Sequence, residues 1–194
     1  MINSKLLIVF SLIASILFTS CGYELSDNKN SRTYDCDYHT FSLNTVISTT
    51  VDNKEVEISG NILTFIEDPL VMTDSNNNVI AKADDSYKLI GQDDHAIMVN
   101  NKFEIAIHGN FEVFGNSYDL HNEKGEKVGY AEFNQFNTSG AIYDSKDNII
   151  ATFDRTPLFN DYTVTISDNN LCSDTGILML IASYVSDYHA DSNN

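Results

Sequence analysis

The chain has 194 residues, 42% of them apolar, which suits one globular domain plus a targeting segment. It holds 28 acidic residues against 11 Lys and Arg, a formal charge of −17. A field of that sign repels phosphate backbones and anionic headgroups, which argues against nucleic acid and phosphoinositide ligands.

The first twenty residues read as a signal segment. Lys5 gives a short positive start, and Leu6 to Phe18 is a thirteen-residue apolar run broken by Ser11 and Ser15. That run matches the core of a signal peptide and falls short of the ~20 apolar residues a membrane-spanning helix needs. Phe18-Thr19-Ser20-Cys21 then resembles the lipobox of bacterial lipoproteins, with Phe18 where leucine is more usual. The resemblance implies cleavage after Ser20 and a diacylglycerol on the Cys21 thiol. It also implies export, with the protein held to the outer face of the cell membrane in a bacterial envelope. Two acyl chains anchor stably where one is marginal. An ordinary secretory signal and an uncleaved anchor are the competing readings. Residues 21–39 are then expected to be a lipidated N-terminus and a flexible linker, because Gly22 to Thr33 is polar and has nothing to bury.

From about residue 40 the pattern alternates. Glu55-Val56-Glu57-Ile58, Phe103-Glu104-Ile105-Ala106-Ile107-His108 and Tyr162-Thr163-Val164-Thr165-Ile166 place apolar side chains on one face and polar ones on the other. Such a period of two predicts half-buried strands. Asp52-Asn53, Gly60-Asn61, Asn76-Asn77, Gly109-Asn110, Lys124-Gly125 and Asp147-Asn148 supply turn-prone pairs between them. Met72-Thr73-Asp74-Ser75 with Asn78-Val79-Ile80-Ala81 aligns with Ile142-Tyr143-Asp144-Ser145 and Asn148-Ile149-Ile150-Ala151, a repeated hairpin. A looser copy, Leu120-His121-Asn122 to Val128-Gly129, aligns if one residue is inserted.

Residues 174–189 break the β pattern. Ser173 and Asp174 can cap a helix, and Gly176 to Val185 is apolar nearly all round, so the helix is expected to be buried. A lone hydrophobic helix among strands is expected inside the barrel they form.

These hairpins, the Tyr162–Ile166 strand followed by Asp168-Asn169, and the hydrophobic C-terminal helix together resemble the tubby C-terminal-like superfamily. The likeness is greatest to the relatives of the plant LURP-one protein and of the phospholipid scramblases. It implies a mostly β domain over residues 40–190: a closed antiparallel barrel of about twelve strands around a central helix, 174–189. The tubby proteins bind phosphoinositides through basic residues, and this acidic chain shows no comparable cluster, so that activity is not carried over. Fold does not fix function.

Candidate chemistry is sparse. With Cys21 assigned to lipid, Cys36 and Cys172 form an even pair that permits a disulfide in an exported protein, with two independent thiols as the alternative. Asp74 to Asn78 superficially resembles a calcium loop, but Val79 stands where the loop needs glycine, and a solvated hairpin turn is the simpler reading. Asp84-Asp85 and Asp93-Asp94-His95 read as exposed loop charge. His39, His95, His108, His121 and His189 are scattered without the close spacings of metal sites. No catalytic motif, cofactor motif or metal set is found. The sequence therefore leads to a non-enzymatic surface lipoprotein, its partners being the membrane through Cys21 and an envelope protein. The runner-up is an envelope enzyme or a scramblase-like lipid-handling protein.

Overall fold

A computed structural model describes residues 30–41, 44–61, 70–84, 95–112, 115–134, 138–155, 161–167 and 170–192. Cys21 and the signal segment lie outside the described residues, as do Asp85, Asp93, Asp94 and the side chain of His189. The strands are β1 (Arg32–Phe41), β2 (Asn44–Val51), β3 (Lys54–Asn61), β4 (Leu70–Asp74), β5 (Val79–Asp84) and β6 (His95–Val99). The second half comprises β7 (Lys102–Glu112), β8 (Gly115–His121), β9 (Lys127–Phe133), β10 (Ser139–Asp144), β11 (Ile149–Arg155) and β12 (Tyr162–Ile166). Each strand pairs antiparallel with its neighbours in the chain, and β1 pairs with β12, so the sheet closes into a twelve-strand barrel without free edges.

One helix follows, α1 (Asp174–Ser192), three residues longer than the sequence reading. Every residue from Ile177 to Val185 is buried, on all sides of the helix. It packs against β5, β6 and β7 on one side and β12 and β2 on the other. Tyr184 stacks on Phe133 of β9 and meets Tyr118 of β8 edge-on. The helix therefore fills the bore. Ser183, the polar residue of the buried run, donates its hydroxyl to the Met179 carbonyl at 2.9 Å and needs no outside partner.

The barrel begins earlier than the sequence composition suggested. β1 occupies residues assigned to the linker, because Tyr34, Cys36 and Tyr38 point inward while Thr33, Asp35, Asp37 and His39 face solvent. Three buried side chains at alternate positions outweigh the polar character of the segment.

The repeated hairpins share one turn in atomic detail. In β4–β5 the Asp74 carboxylate accepts the amides of Asn76 and Asn78 (both 2.9 Å) and the Asn78 side-chain amide (3.0 Å). Asp144 does the same for Lys146 and Asn148 in β10–β11. In β8–β9 the Asn122 side-chain oxygen accepts the amides of Lys124 and Glu126. The fourth residue of each turn is left-handed: Asn77 at φ 60°, Asp147 at 63° and Gly125 at 77°. A bulge accompanies each turn, as in tight hairpins whose strands must keep their twist. The three turns have equal length, so the Leu120–Gly129 copy carries no inserted residue, contrary to the sequence alignment.

Direction along the strands sorts the connections. β1 starts, α1 enters and the left-handed turns at Asp52-Asn53, Asn77, Asn100-Asn101, Gly125 and Asp147 all lie at the same rim.

Two outcomes follow. Leu180→Asp places an unpaired charge at a position 1% exposed, costing several kcal/mol, and is expected to abolish cooperative unfolding in calorimetry; a retained wild-type transition would contradict the filled bore. The Asp74 and Asp144 carboxyls are held low, chiefly by the Asn78 and Asn148 side-chain amides and then by backbone amides. Their folded pKa lies below the unfolded value of ~3.9, so their contribution is present above it and is lost as pH falls through the depressed value. Asn at both positions, as Asn122 already shows, keeps the turn and removes the titration. The double variant is expected to lose less stability than wild type between pH 5 and pH 2 in urea midpoints, and equal losses would contradict the assignment.

Candidate functional site

Among the described residues, the outward faces of β1 to β4 form a polar surface groove. Inward packing of Tyr34, Cys36 and Tyr38 turns Asp35 and Asp37 out; Ile47 and Thr49 inward turn Ser48 and Thr50 out; Val56 and Ile58 inward turn Glu55 and Glu57 out. Register aligns Asp37 with Ser48, Ser48 with Glu57, Glu57 with Thr73, and Thr50 with Glu55. Carboxylates thus occupy β1 and β3, and hydroxyls occupy the strands between and beside them. Directly opposed like charges destabilise a sheet, and one intervening strand sets these two acidic columns roughly 9.5 Å apart. The pattern continues onto β12, where the Thr163 hydroxyl donates to the Asp35 carboxylate at 3.2 Å.

With the Asp74–Asn77 turn as one wall, these residues line a groove of about 570 Å³. Five carboxylates border it: Asp35, Asp37, Glu55, Glu57 and Asp74. Asp74 is occupied by its own turn, as described above, so the calcium-loop resemblance resolves into a hairpin cap. The groove offers hydrogen-bond acceptors, negative charge and hydroxyls that can donate or accept.

The helix entrance is a second polar cluster. Ser173 caps α1: its hydroxyl accepts the Gly176 amide at 3.1 Å, and its amide and hydroxyl donate to Glu104 at 2.8 and 2.7 Å. Asp174 in the first turn accepts Arg32 Nη2 at 2.8 Å and the Tyr34 hydroxyl. Burial, then the Asp174 carboxylate, pushes the Tyr34 phenol up to about 12. A Cβ on Gly176 would meet a Glu104 oxygen at 2.5 Å, so a side chain there would displace the carboxylate that Ser173 binds. These contacts seat the helix rather than bind a ligand.

The histidines remain scattered, apart from His108 and His121, whose rings stack at 5.9 Å. Among the described residues no group of three or more His, Cys, Asp or Glu is placed to hold a metal ion. Also among them, no helix is long and apolar enough to cross a membrane.

Cys36 and Cys172 are not joined by a disulfide in the structure and lie in different surroundings. Cys36 lies inside the wall beside Thr49 and Tyr162, and burial pushes its thiol up to about 11. The Tyr162 hydroxyl faces it and is, among the described residues, the one buried side-chain polar atom without a hydrogen bond of normal geometry. Cys172 sits at the helix entrance by Gly176, where burial and the negative charges of Glu104 and Asp174 raise its pKa. Thiolate is the reactive form, so both thiols are expected to resist iodoacetamide in native protein at neutral pH. Both are expected to be labelled in unreduced, denaturant-unfolded protein by mass spectrometry. Protection that persists after unfolding and disappears on reduction would instead demonstrate a disulfide.

The groove is not legible in the sequence. Thr45-Val46-Ile47-Ser48-Thr49-Thr50 alternates too weakly to announce a strand, and the register that joins Asp37 to Glu57 is not written in either segment alone.

No protein-family model matches the chain, and no curated protein matches it. The chain is similar to a protein of Arabidopsis thaliana, AT5G01750, known from an X-ray structure: the two are 13% identical over 81% of this chain and 91% of that one, with a TM-score of 0.36.

Proposed function

We propose that the chain is a lipid-anchored protein of the bacterial envelope. In this reading its tubby-like barrel is a non-enzymatic binding module that recognises a cationic protein segment on its outer wall. Cys21 carries the lipid and holds the domain at the membrane, a task the acidic surface as a whole is unsuited to perform. The lipobox-like Phe18-Thr19-Ser20-Cys21 supports the anchor, and a twelve-strand barrel around a hydrophobic helix is what the tubby-like resemblance implies.

The observation that carries the binding reading is the filled bore. With Ile177 to Val185 buried on every side, the interior has been given over to packing, and recognition falls to the outside. There the groove between β1 and β4 combines carboxylates with hydroxyls, a chemistry suited to Lys and Arg side chains and to backbone amides. The net charge adds long-range attraction for such a partner.

The test compares equal changes of charge at different places. A fluorescent dodecalysine peptide is titrated against wild type, against Asp37→Asn/Glu57→Gln in the groove, and against Glu123→Gln/Glu132→Gln outside it. The groove pair is expected to weaken binding about tenfold, and the control pair less than twofold, at physiological salt. Equal losses would reduce the interaction to net charge and remove the groove from the account.

A further inference from the structure

The closed sheet has no edge strand, yet the ladder between β1 and β2 is incomplete. β1 changes partner along its length: Arg32 to Cys36 pair with β12, and Asp37 to Phe41 pair with β2. β2 pairs with β3 along its whole length, Asn44 to Val51, but with β1 only as far as Ser48. Towards the rim of the helix entrance the two strands therefore run side by side without a ladder. Arg32 and Tyr34 are bound there to Asp174 of α1, so this half of β1 is committed to β12 and the helix.

Strand alternation fixes what the break offers. The Thr49 hydroxyl donates to the Asp35 carbonyl at 2.8 Å, so the Asp35 main chain points towards β2. The N–H and C=O of one residue point the same way and successive residues alternate, so the Thr33 main chain points there too. The Asp37–Ser48 pair carries the same parity across, which aims the Thr50 main chain back at β1. Thr33, Asp35 and Thr50 are all exposed. Two short lengths of strand edge thus face one another, and the groove of about 570 Å³ opens on them, with Asp35 and Thr50 in its lining. Carboxylates stand on both sides, Asp35 and Asp37 on β1 and Glu55 and Glu57 on β3.

We propose that this break receives an extended basic segment of a partner protein, which adds antiparallel to β1 as a strand at Thr33 and Asp35. The proposal rests on the reading of the groove as a site for a cationic segment and supplies the mode of recognition. Main-chain pairing gives affinity, and Lys or Arg at alternate positions gives specificity. Side chains on one face of a strand repeat every ~6.6 Å, which is also the step from Asp35 to Asp37 and from Glu55 to Glu57. Cations at every second position of the added strand therefore keep step with both acidic columns. A second copy of this chain, with 28 acids against 11 Lys and Arg, is repelled from the site. Residues 22–31 of the chain itself carry Glu24 and Asp27 with a single Lys29, so they lack the alternating cations.

The experiment titrates three fluorescent peptides of equal charge against the full lipidated chain in neutral detergent. The first is Lys-Thr-Lys-Thr-Lys-Thr-Lys, and the second has the same residues with the lysines in one block. The third is the alternating peptide methylated on its lysine amides, since a lysine opposite Asp35 turns its own N–H to β1. The block isomer is expected to bind about fivefold more weakly than the alternating peptide, and the methylated one about tenfold more weakly. Saturation with the alternating peptide is expected to slow amide exchange at Thr33 and Asp35 about tenfold. Equal affinities, or unchanged exchange at those two amides, overturn strand addition. If Asp37→Asn/Glu57→Gln still weakens every peptide in that case, recognition of charge by the groove stands without it. Affinities that are equal and also indifferent to Asp37→Asn/Glu57→Gln overturn the groove reading itself, and the added strand with it.

Discussion

An apolar helix with no polar face can be stable in water only if something surrounds it. Gly176 to Val185 presents Ile, Leu, Met, Ala, Tyr and Val on every side, and a full turn of such residues is worth several kcal/mol only when all of them are covered. A flat sheet covers one side. A closed barrel covers all sides, and closure here requires β1 to reach β12. The same closure fixes the alternation of every strand, because a one-residue slip would turn carboxylates onto the helix. Arg32, Tyr34 and Glu104 then hold the helix at its entrance, so the element that needs the barrel is also bound to its rim.

That arrangement determines where recognition can occur. Side chains from α1 and the inner faces of the strands occupy the bore, and what remains available is the outer wall and the two ends. On the wall, inward packing of Tyr34, Cys36 and Tyr38 on β1 and of Val56 and Ile58 on β3 obliges Asp35, Asp37, Glu55 and Glu57 to stand outward. The groove is thus a by-product of the core pattern in its position and a property of the outward residues in its chemistry.

The barrel and its helix were legible because each rests on a local pattern: period-two alternation in β3, β7 and β12, and an apolar run too long for a strand and too short for a membrane. The repeated Asp-x-x-x-Asn turns were legible for the same reason, since each is a self-contained set of hydrogen bonds. β1 was hidden because its outward residues, Asp35, Asp37 and His39, continue the polar composition of the segment before it, and its three inward residues include two tyrosines and a cysteine rather than aliphatics. The third hairpin was misaligned because Gly125 and Asn122 replace Asn or Asp at the key positions, and the match lies in φ and in side-chain acceptors rather than in letters. The groove could not be read at all without register, which sets Asp37, Ser48, Glu57 and Thr73 side by side across four strands.

The central claim is that α1 is an integral part of the core rather than a terminal appendage. Native-state hydrogen exchange tests it most directly. The amides of Ile181 to Val185 are expected to exchange only through global unfolding, with the same denaturant dependence as those of Val164 and Phe153 in β12 and β11. Exchange of the helix amides through a separate, lower-energy opening while the strands stay protected would show that the barrel stands without its helix, and the account built on a filled bore would be wrong.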